Sequence, residues 1–303
     1  MDDETPLAGL VPLEGGWSGE TFLAEVAGER TVVRIYARPS ERGAAAHEVD
    51  AALHRLVRGL LPVPEVVEVR RADTATGLPA LLVTSFLPGT RADLVLPGLR
   101  AAERERLGAA LGGLLADLGG MPMLRTGPFV DGDLSIGTFE VAGHRVDGLP
   151  GLVELAEPSL GWWTPAELDG LRAVAVRAQA GLDTVTRHCL VHSDFNPKNL
   201  LVDPETLAIT GLVDWEFAHA GNPFTDLGNL LRFERDDAFT RAVLTSYVAR
   251  RGGEETEVLG LARAADLWAL VDLATRRGQN PVADQADALL RAIARSGDVH
   301  ALS

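Results

Sequence analysis

Residues 189–217 read C-L-V-H-S-D-F-N-P-K-N-L-L-V-D-P-E-T-L-A-I-T-G-L-V-D-W-E-F. His192-Ser193-Asp194 comes first, and Asn199 follows five residues after the aspartate. Leu200-Leu201-Val202 reads as a short strand, Asp203-Pro204-Glu205-Thr206 as a turn, and Ile209 to Val213 as the returning strand. Such a hairpin brings Asp214 back beside Asn199. A carboxylate and a neutral amide oxygen then share one place, and donors of that kind suit a hard cation such as Mg²⁺.

The spacing resembles the catalytic centre of the kinase superfamily. There, H-x-D-x-x-x-x-N supplies a catalytic Asp and a metal-binding Asn, and a later Asp binds the metals that bridge the nucleotide phosphates. The wording His192-Ser193-Asp194 with Asn199, then Val213-Asp214-Trp215-Glu216, is similar to the H-G-D-x-x-x-x-N and I-D-W-E of the aminoglycoside phosphotransferase family. That family includes relatives of choline kinase, homoserine kinase and macrolide phosphotransferase. Ser193 replaces the usual Gly, one small residue for another.

The resemblance implies an α+β, bilobal, protein-kinase-like fold. Its N-terminal lobe, residues 1–88, would be an antiparallel sheet with one long helix. Its C-terminal lobe, residues 89–303, would be mainly helical and hold catalysis and substrate binding. Implied with it are Mg²⁺ and ATP or GTP as phosphoryl donor. Asp194 would be the catalytic residue, Asn199 and Asp214 the metal ligands, and Lys198 a further contact to phosphate. His192 and Asp226 would support the catalytic loop.

The first lobe reads consistently with this. Glu14-Gly15-Gly16-Trp17-Ser18-Gly19-Glu20-Thr21 is a Gly-rich turn after an apolar stretch from Leu7 to Leu13. Gly16, Ser18 and Gly19 would let backbone N–H groups close over phosphates without Cβ clashes. Thr21–Val26 and Thr31–Tyr36 read as strands joined by a hairpin at 27–30. Arg34 stands where protein kinases carry a phosphate-contacting Lys, and its planar fork is not interchangeable with an ammonium. A helix is expected from Pro39 to Gly59, with Val49, Leu53, Leu56, Val57 and Leu60 at helical spacing. Glu48 on that helix is the expected partner of Arg34, and Glu41 the competitor. Pro64–Arg70 and Leu78–Phe86 complete a sheet of about five strands. Backbone groups around Ser85, Phe86 and Leu87 would meet the edge of the nucleotide base.

Beyond the boundary at Leu87-Pro88-Gly89, helices are expected over Leu99–Leu118 and from Thr164, an N-cap followed by Pro165, to about Thr186. Residues 119–161 read as irregular. Asp131-Gly132-Asp133 lacks the full Ca²⁺-loop spacing and reads as a turn. Trp162 and Trp163 are expected to pack between helices. Asn222-Pro223-Phe224-Thr225-Asp226 starts a helix, and residues 236–293 read as three more. These carry Glu254, Glu255, Glu257, Asp266, Asp272, Asp284 and Asp287, most of them expected on solvated faces.

Composition bounds the function. The chain has 303 residues, 46% hydrophobic and 23% charged, with a formal net charge of -15. A chain this acidic is a poor ligand for nucleic acid or an anionic membrane. Of 28 Lys and Arg, Lys198 is the sole lysine. The single Cys189 forms no internal disulfide and reads as a buried thiol. No apolar run spans a bilayer, and the acidic start is no signal peptide, so a cytoplasmic enzyme is the expectation. The expected reaction moves a γ-phosphoryl group to a hydroxyl of a small, preferably cationic and aminoglycoside-like molecule, with antibiotic resistance as its consequence. A choline, homoserine, sugar or macrolide kinase is the alternative, and a non-catalytic nucleotide-binding regulator the remote one. A protein kinase fits less well, because 11 residues separate Asp214 from the next helix at Asp226 and no A-P-E follows.

Overall fold

The computed structural model describes residues 10–13, 21–26, 28–37, 42–141 and 143–301. The chain divides into two compact units that do not follow chain order. The first holds residues 1–98, 129–137 and 197–217, and the second the remainder.

In the first unit, β1 (Leu10–Pro12), β2 (Thr21–Val26), β3 (Glu29–Tyr36), β4 (Val66–Arg70) and β5 (Ala80–Ser85) form one antiparallel sheet in the order β1-β2-β3-β5-β4. β-Branched and apolar residues dominate the central strands, and Ala80 and Leu82 turn inward at period two. The helix α1 (Ala46–Val57) packs on β4 and β5. It is shorter than the expected 39–59, because residues 43–45 form a 3₁₀ turn with Gly43 at φ 58°. Its buried face is Ala46, Val49, Asp50, Leu53, His54 and Val57, an i, i+3, i+4, i+7 stripe.

The hairpin expected from the sequence is present. Leu200–Val202 pairs antiparallel with Ile209–Leu212, and Thr90–Arg91 adds a third strand. Its turn is made by Asp203, whose carboxylate accepts the N–H groups of Glu205 and Thr206. Asp131 likewise accepts from the N–H groups of Asp133 and Ser135, so that segment is a turn.

The second unit is built on helices and a small antiparallel sheet ordered Pro122–Met123, His188–Val191, His219–Gly221, Gly127–Pro128. Helices Ala101–Leu118 and Asp237–Arg251 approach closely where Gly108 and Gly112 meet the backbone of Phe239 and Val243. Helix Pro165–Leu182 begins at Thr164 with a reciprocal cap to Glu167. Helices Glu255–Thr275 and Pro281–Ser296 follow Asp237–Arg251, so the expected trio is present. The segment expected to be irregular contains the helix Gly148–Ala156. Pro150 and two glycines disguised it, yet Leu149, Leu152 and Val153 bury one face at helical spacing. Trp163 is buried, Trp162 partly exposed, and both indole N–H groups donate to Asp287.

Candidate active site

The second unit carries His192, Asp194 and Asp226. His192 directly follows the strand His188–Val191, and the chain turns at Ser193 in the left-handed region, φ 69°. That conformation costs an L-residue with a side chain roughly 1–2 kcal/mol. Asp226, at the start of helix Thr225–Leu231, accepts the N–H of His192 at 2.8 Å and of Ser193 at 2.7 Å, fixing the turn. Burial pushes the Asp226 carboxyl up to about 7, against the two backbone donors that favour its charged form. The His192 ring is fully buried, stands edge-on to Phe195, and its Nδ1 lies 3.3 Å from the Asp194 N–H that donates to it. Asp194 is partly exposed, and Asn196 Nδ2 donates to its Oδ1 at 2.7 Å. Sequence reasoning missed Asn196; the Asp-x-Asn spacing, typical of a side chain folding back in a turn, was the available signal.

The first unit carries Arg34, Glu48, Ser85, Leu87, Lys198, Asn199 and Asp214. Asn199 and Asp214 flank one end of the hairpin, and the Val213 N–H donates to the Asn199 carbonyl at 2.9 Å. Asp214 is also left-handed, φ 65°. Strained backbone of this kind persists only where its surroundings over-determine it. Here they do. Arg34 Nη1 reaches Asp214 Oδ1 at 3.4 Å and Asp50 Oδ2 at 3.8 Å, and its Nη2 donates to Glu216. Arg42 donates to Asp50 and, at 2.9 Å, to the Trp215 carbonyl. Tyr36 donates to Asp50 at 2.6 Å. Burial pulls the Arg34 guanidinium down, but Asp50, Asp214 and Glu216 together outweigh it and hold Arg34 above its ordinary value. Burial of Arg42 outweighs Asp50 and leaves it below its own.

Two expectations are changed by this geometry, the partner of Arg34 and the free backbone donors at Ser85 and Phe86. Glu48 pairs with Arg71, not with Arg34. Asp50 takes that place, because it lies in the buried stripe of α1 while Glu48 lies to its side. The Ser85 N–H donates to the Glu65 carbonyl and the Phe86 N–H to the Arg30 carbonyl, so these two donors are already paired. The Ser85 hydroxyl accepts from the Glu65 N–H. Leu87 packs beside Gly211 of the hairpin. Lys198 is exposed in the 3₁₀ turn Pro197–Asn199. Gly16, Ser18 and Gly19 lie outside the described residues.

Asn199 and Asp214 fit an Mg²⁺ ion that completes its shell elsewhere. They offer one amide and one carboxylate oxygen, and among the described residues no group of three His, Cys, Asp or Glu is arranged to hold a metal unaided. Mg²⁺ bound through one or two carboxylates, with phosphate oxygens and waters as its other ligands, needs no more.

The model of the phosphotransferase enzyme family matches residues 9–267, and the chain belongs to that family. The aminoglycoside 3'-phosphotransferase of Streptomyces ribosidificus is 30% identical over 237 residues, 76% of this chain and 82% of that protein. Acyl-CoA dehydrogenase family member 10 of Mus musculus is 25% identical over 232 residues; the match covers 72% of this chain and 20% of that much longer protein. Among solved structures, the GDP complex of wild-type aminoglycoside 2'-phosphotransferase-IIIa superposes with a TM-score of 0.69 at 17% identity, covering 97% of this chain and 94% of that one. The fold is the α+β, protein-kinase-like fold of the aminoglycoside phosphotransferases. The chain is an enzyme of their class, a phosphotransferase with an alcohol group as acceptor. Among the described residues no helix is long and apolar enough to cross a membrane.

Proposed function

We propose that the protein transfers the γ-phosphoryl group of ATP or GTP to a hydroxyl of a small, aminoglycoside-like molecule. The observation that carries this is the Asp194 loop, pinned by Asp226 through two backbone hydrogen bonds and leading in five residues to Asn199. In this reading lobe 1–88 holds the nucleotide and lobe 89–303 holds the acceptor. Asp194 orients the acceptor hydroxyl and takes its proton as the new P–O bond forms and the bond from the γ-phosphorus to the bridging oxygen breaks, releasing ADP or GDP. Asn196 keeps one carboxylate oxygen directed, and His192 accepts the Asp194 N–H rather than exchanging protons with substrate. Asn199 and Asp214 would hold Mg²⁺, which would supply positive charge to neutralise the phosphates. Arg34 contacts phosphate, with Asp50 behind it, and Lys198 and the Gly-rich turn at Gly16, Ser18 and Gly19 add further donors. Leu87 is the remaining backbone contact for the base. Rate is gained by positioning and charge neutralisation. Such an enzyme would act in the cytoplasm, where its donor is made, and would confer antibiotic resistance on its host.

The acidic tail gives less support to a cationic acceptor than its composition implies. Asp266 is buried against Arg232 and Asn229, Asp287 against two tryptophans, and Asp272 pairs with Arg276. The 30% identity to an aminoglycoside 3'-phosphotransferase is the stronger support. A metabolic acceptor is the second reading, favoured by the match to a mouse protein named for no antibiotic. Turnover of Mg²⁺-ATP and Mg²⁺-GTP with kanamycin, a macrolide, choline, homoserine and a sugar separates the two. Phosphorylated kanamycin upholds the first reading, and phosphate on another acceptor alone overturns it.

A further inference from the structure

Arg42 is not part of any motif, and it lies in the turn before α1, 172 residues before Asp214 in the chain. Yet its side chain is only 8% exposed, and its two terminal nitrogens are divided between different elements. Nη1 meets the Asp50 carboxylate, and Nη2 donates to the Trp215 carbonyl at 2.9 Å. That carbonyl belongs to the residue directly after Asp214, whose backbone is left-handed. Asp50 is itself fixed by Tyr36 and faces Arg34, so Arg42 joins the phosphate-side arginine's partner to the Asp214–Glu216 segment. The indole of Trp215 is anchored as well, donating to the Leu212 carbonyl at 3.1 Å. The Asp214 backbone thus lies between two clamped points.

We propose that Arg42 is a positioning residue that holds Asp214 in its metal-binding orientation. The inference rests on the phosphotransferase reading above, because it assigns Asp214 to Mg²⁺. It is specific to a guanidinium. A lysine reaches either Asp50 or the Trp215 carbonyl as a point donor, but does not span both with a fixed fork. Arg42→Lys keeps the charge beside Asp50 and therefore the fold, and it releases the carbonyl.

The test is Mn²⁺ binding followed by electron paramagnetic resonance, with ADP and separately with GDP, on wild type and Arg42→Lys. Metal-free nucleotide affinity and melting temperature are measured beside it. The expected result is at least a tenfold weaker Mn²⁺ affinity in Arg42→Lys, with metal-free nucleotide affinity within about twofold of wild type. In Arg42→Ala, added methylguanidinium recovers part of the Mn²⁺ affinity. Wild-type Mn²⁺ affinity in Arg42→Lys overturns the inference and leaves the functional reading standing. A parallel fall in melting temperature and in metal-free nucleotide affinity also overturns it, because that is the mark of a structural role. Absence of nucleotide-dependent Mn²⁺ binding in the wild type overturns the functional reading, and this inference falls with it.

Discussion

Ser193 and Asp214 are both left-handed, and both stand at the edges of the residues assigned to chemistry. An L-residue in that region gives up roughly 1–2 kcal/mol. Ser193→Gly removes the clash without touching Asp226, which bonds only backbone at that position. The variant is expected to gain about 1 kcal/mol in urea unfolding, with the extra chain freedom of Gly taking back part of the relief. A loss of stability would mean that the Ser193 side chain makes a contact worth more than the strain. His54 supplies a pH dependence. Burial lowers it to about 4, and its Nδ1 has no hydrogen-bond partner. Its free value is about 6.5, so the unfolded chain takes up the proton first as pH falls. The contribution to stability is complete above pH ~6.5 and is lost on the way down to about 4. His54→Leu is expected to flatten the stability curve between those values, and urea midpoints at pH 4.5 and 7.5 measure it. An equal acid-side loss in wild type and variant contradicts the assignment. At this scale the Asp226 brace on residues 192 and 193 and the hairpin that brings residue 213 back to Asn199 were legible because they fall in fixed local spacings. Asn196 and Arg42 were not, since one acts through a turn and the other through a contact 173 positions away.

The elements show why a local pattern misassigns a long-range partner. The sequence offered Glu48 as the partner of Arg34, with Glu41 as competitor, and Asp50 was passed over. The helix decides otherwise. Asp50 lies at i+4 from Ala46 and at i-3 from Leu53, on the face against the sheet, where it is 3% exposed. An acid inside an apolar stripe was the available signal. Asp50→Ala takes from Arg42 its buried carboxylate partner and from Arg34 one of three, and removing one partner of a buried ionic group costs about 3–5 kcal/mol. Glu48→Ala frees a pair whose arginine is largely exposed, and is expected to cost under about 1 kcal/mol. Chemical denaturation of both variants checks the order, and equal losses contradict it. Strand and capping signals did better. The hairpin at 200–212 and the Thr164 cap were readable because turn and cap chemistry are local. The helix at 148–156 was hidden by Gly148 and Pro150, whose cost tertiary packing of Leu149, Leu152 and Val153 overrides.

For the whole molecule, the order of signals along the chain carried more than any single one. Sheet, helix, catalytic stretch and helical tail occur in the order the family resemblance implied, and the family match spans residues 9–267. Composition carried less. The acidic helical tail pointed to a cationic acceptor, yet several of its acids are engaged by arginines, tryptophans and backbone N–H groups. The acceptor is set by side chains from many elements at once, which no local pattern records. The central claim is that Asp194 acts on the acceptor while the nucleotide is held elsewhere. The measurement that tests it most directly is single-turnover phosphoryl transfer to the best acceptor by wild type and Asp194→Asn, with nucleotide affinity from calorimetry in both. The account predicts a transfer rate lower by about 10²–10⁴-fold and nucleotide affinity within about threefold of wild type. Undiminished transfer in Asp194→Asn would contradict it.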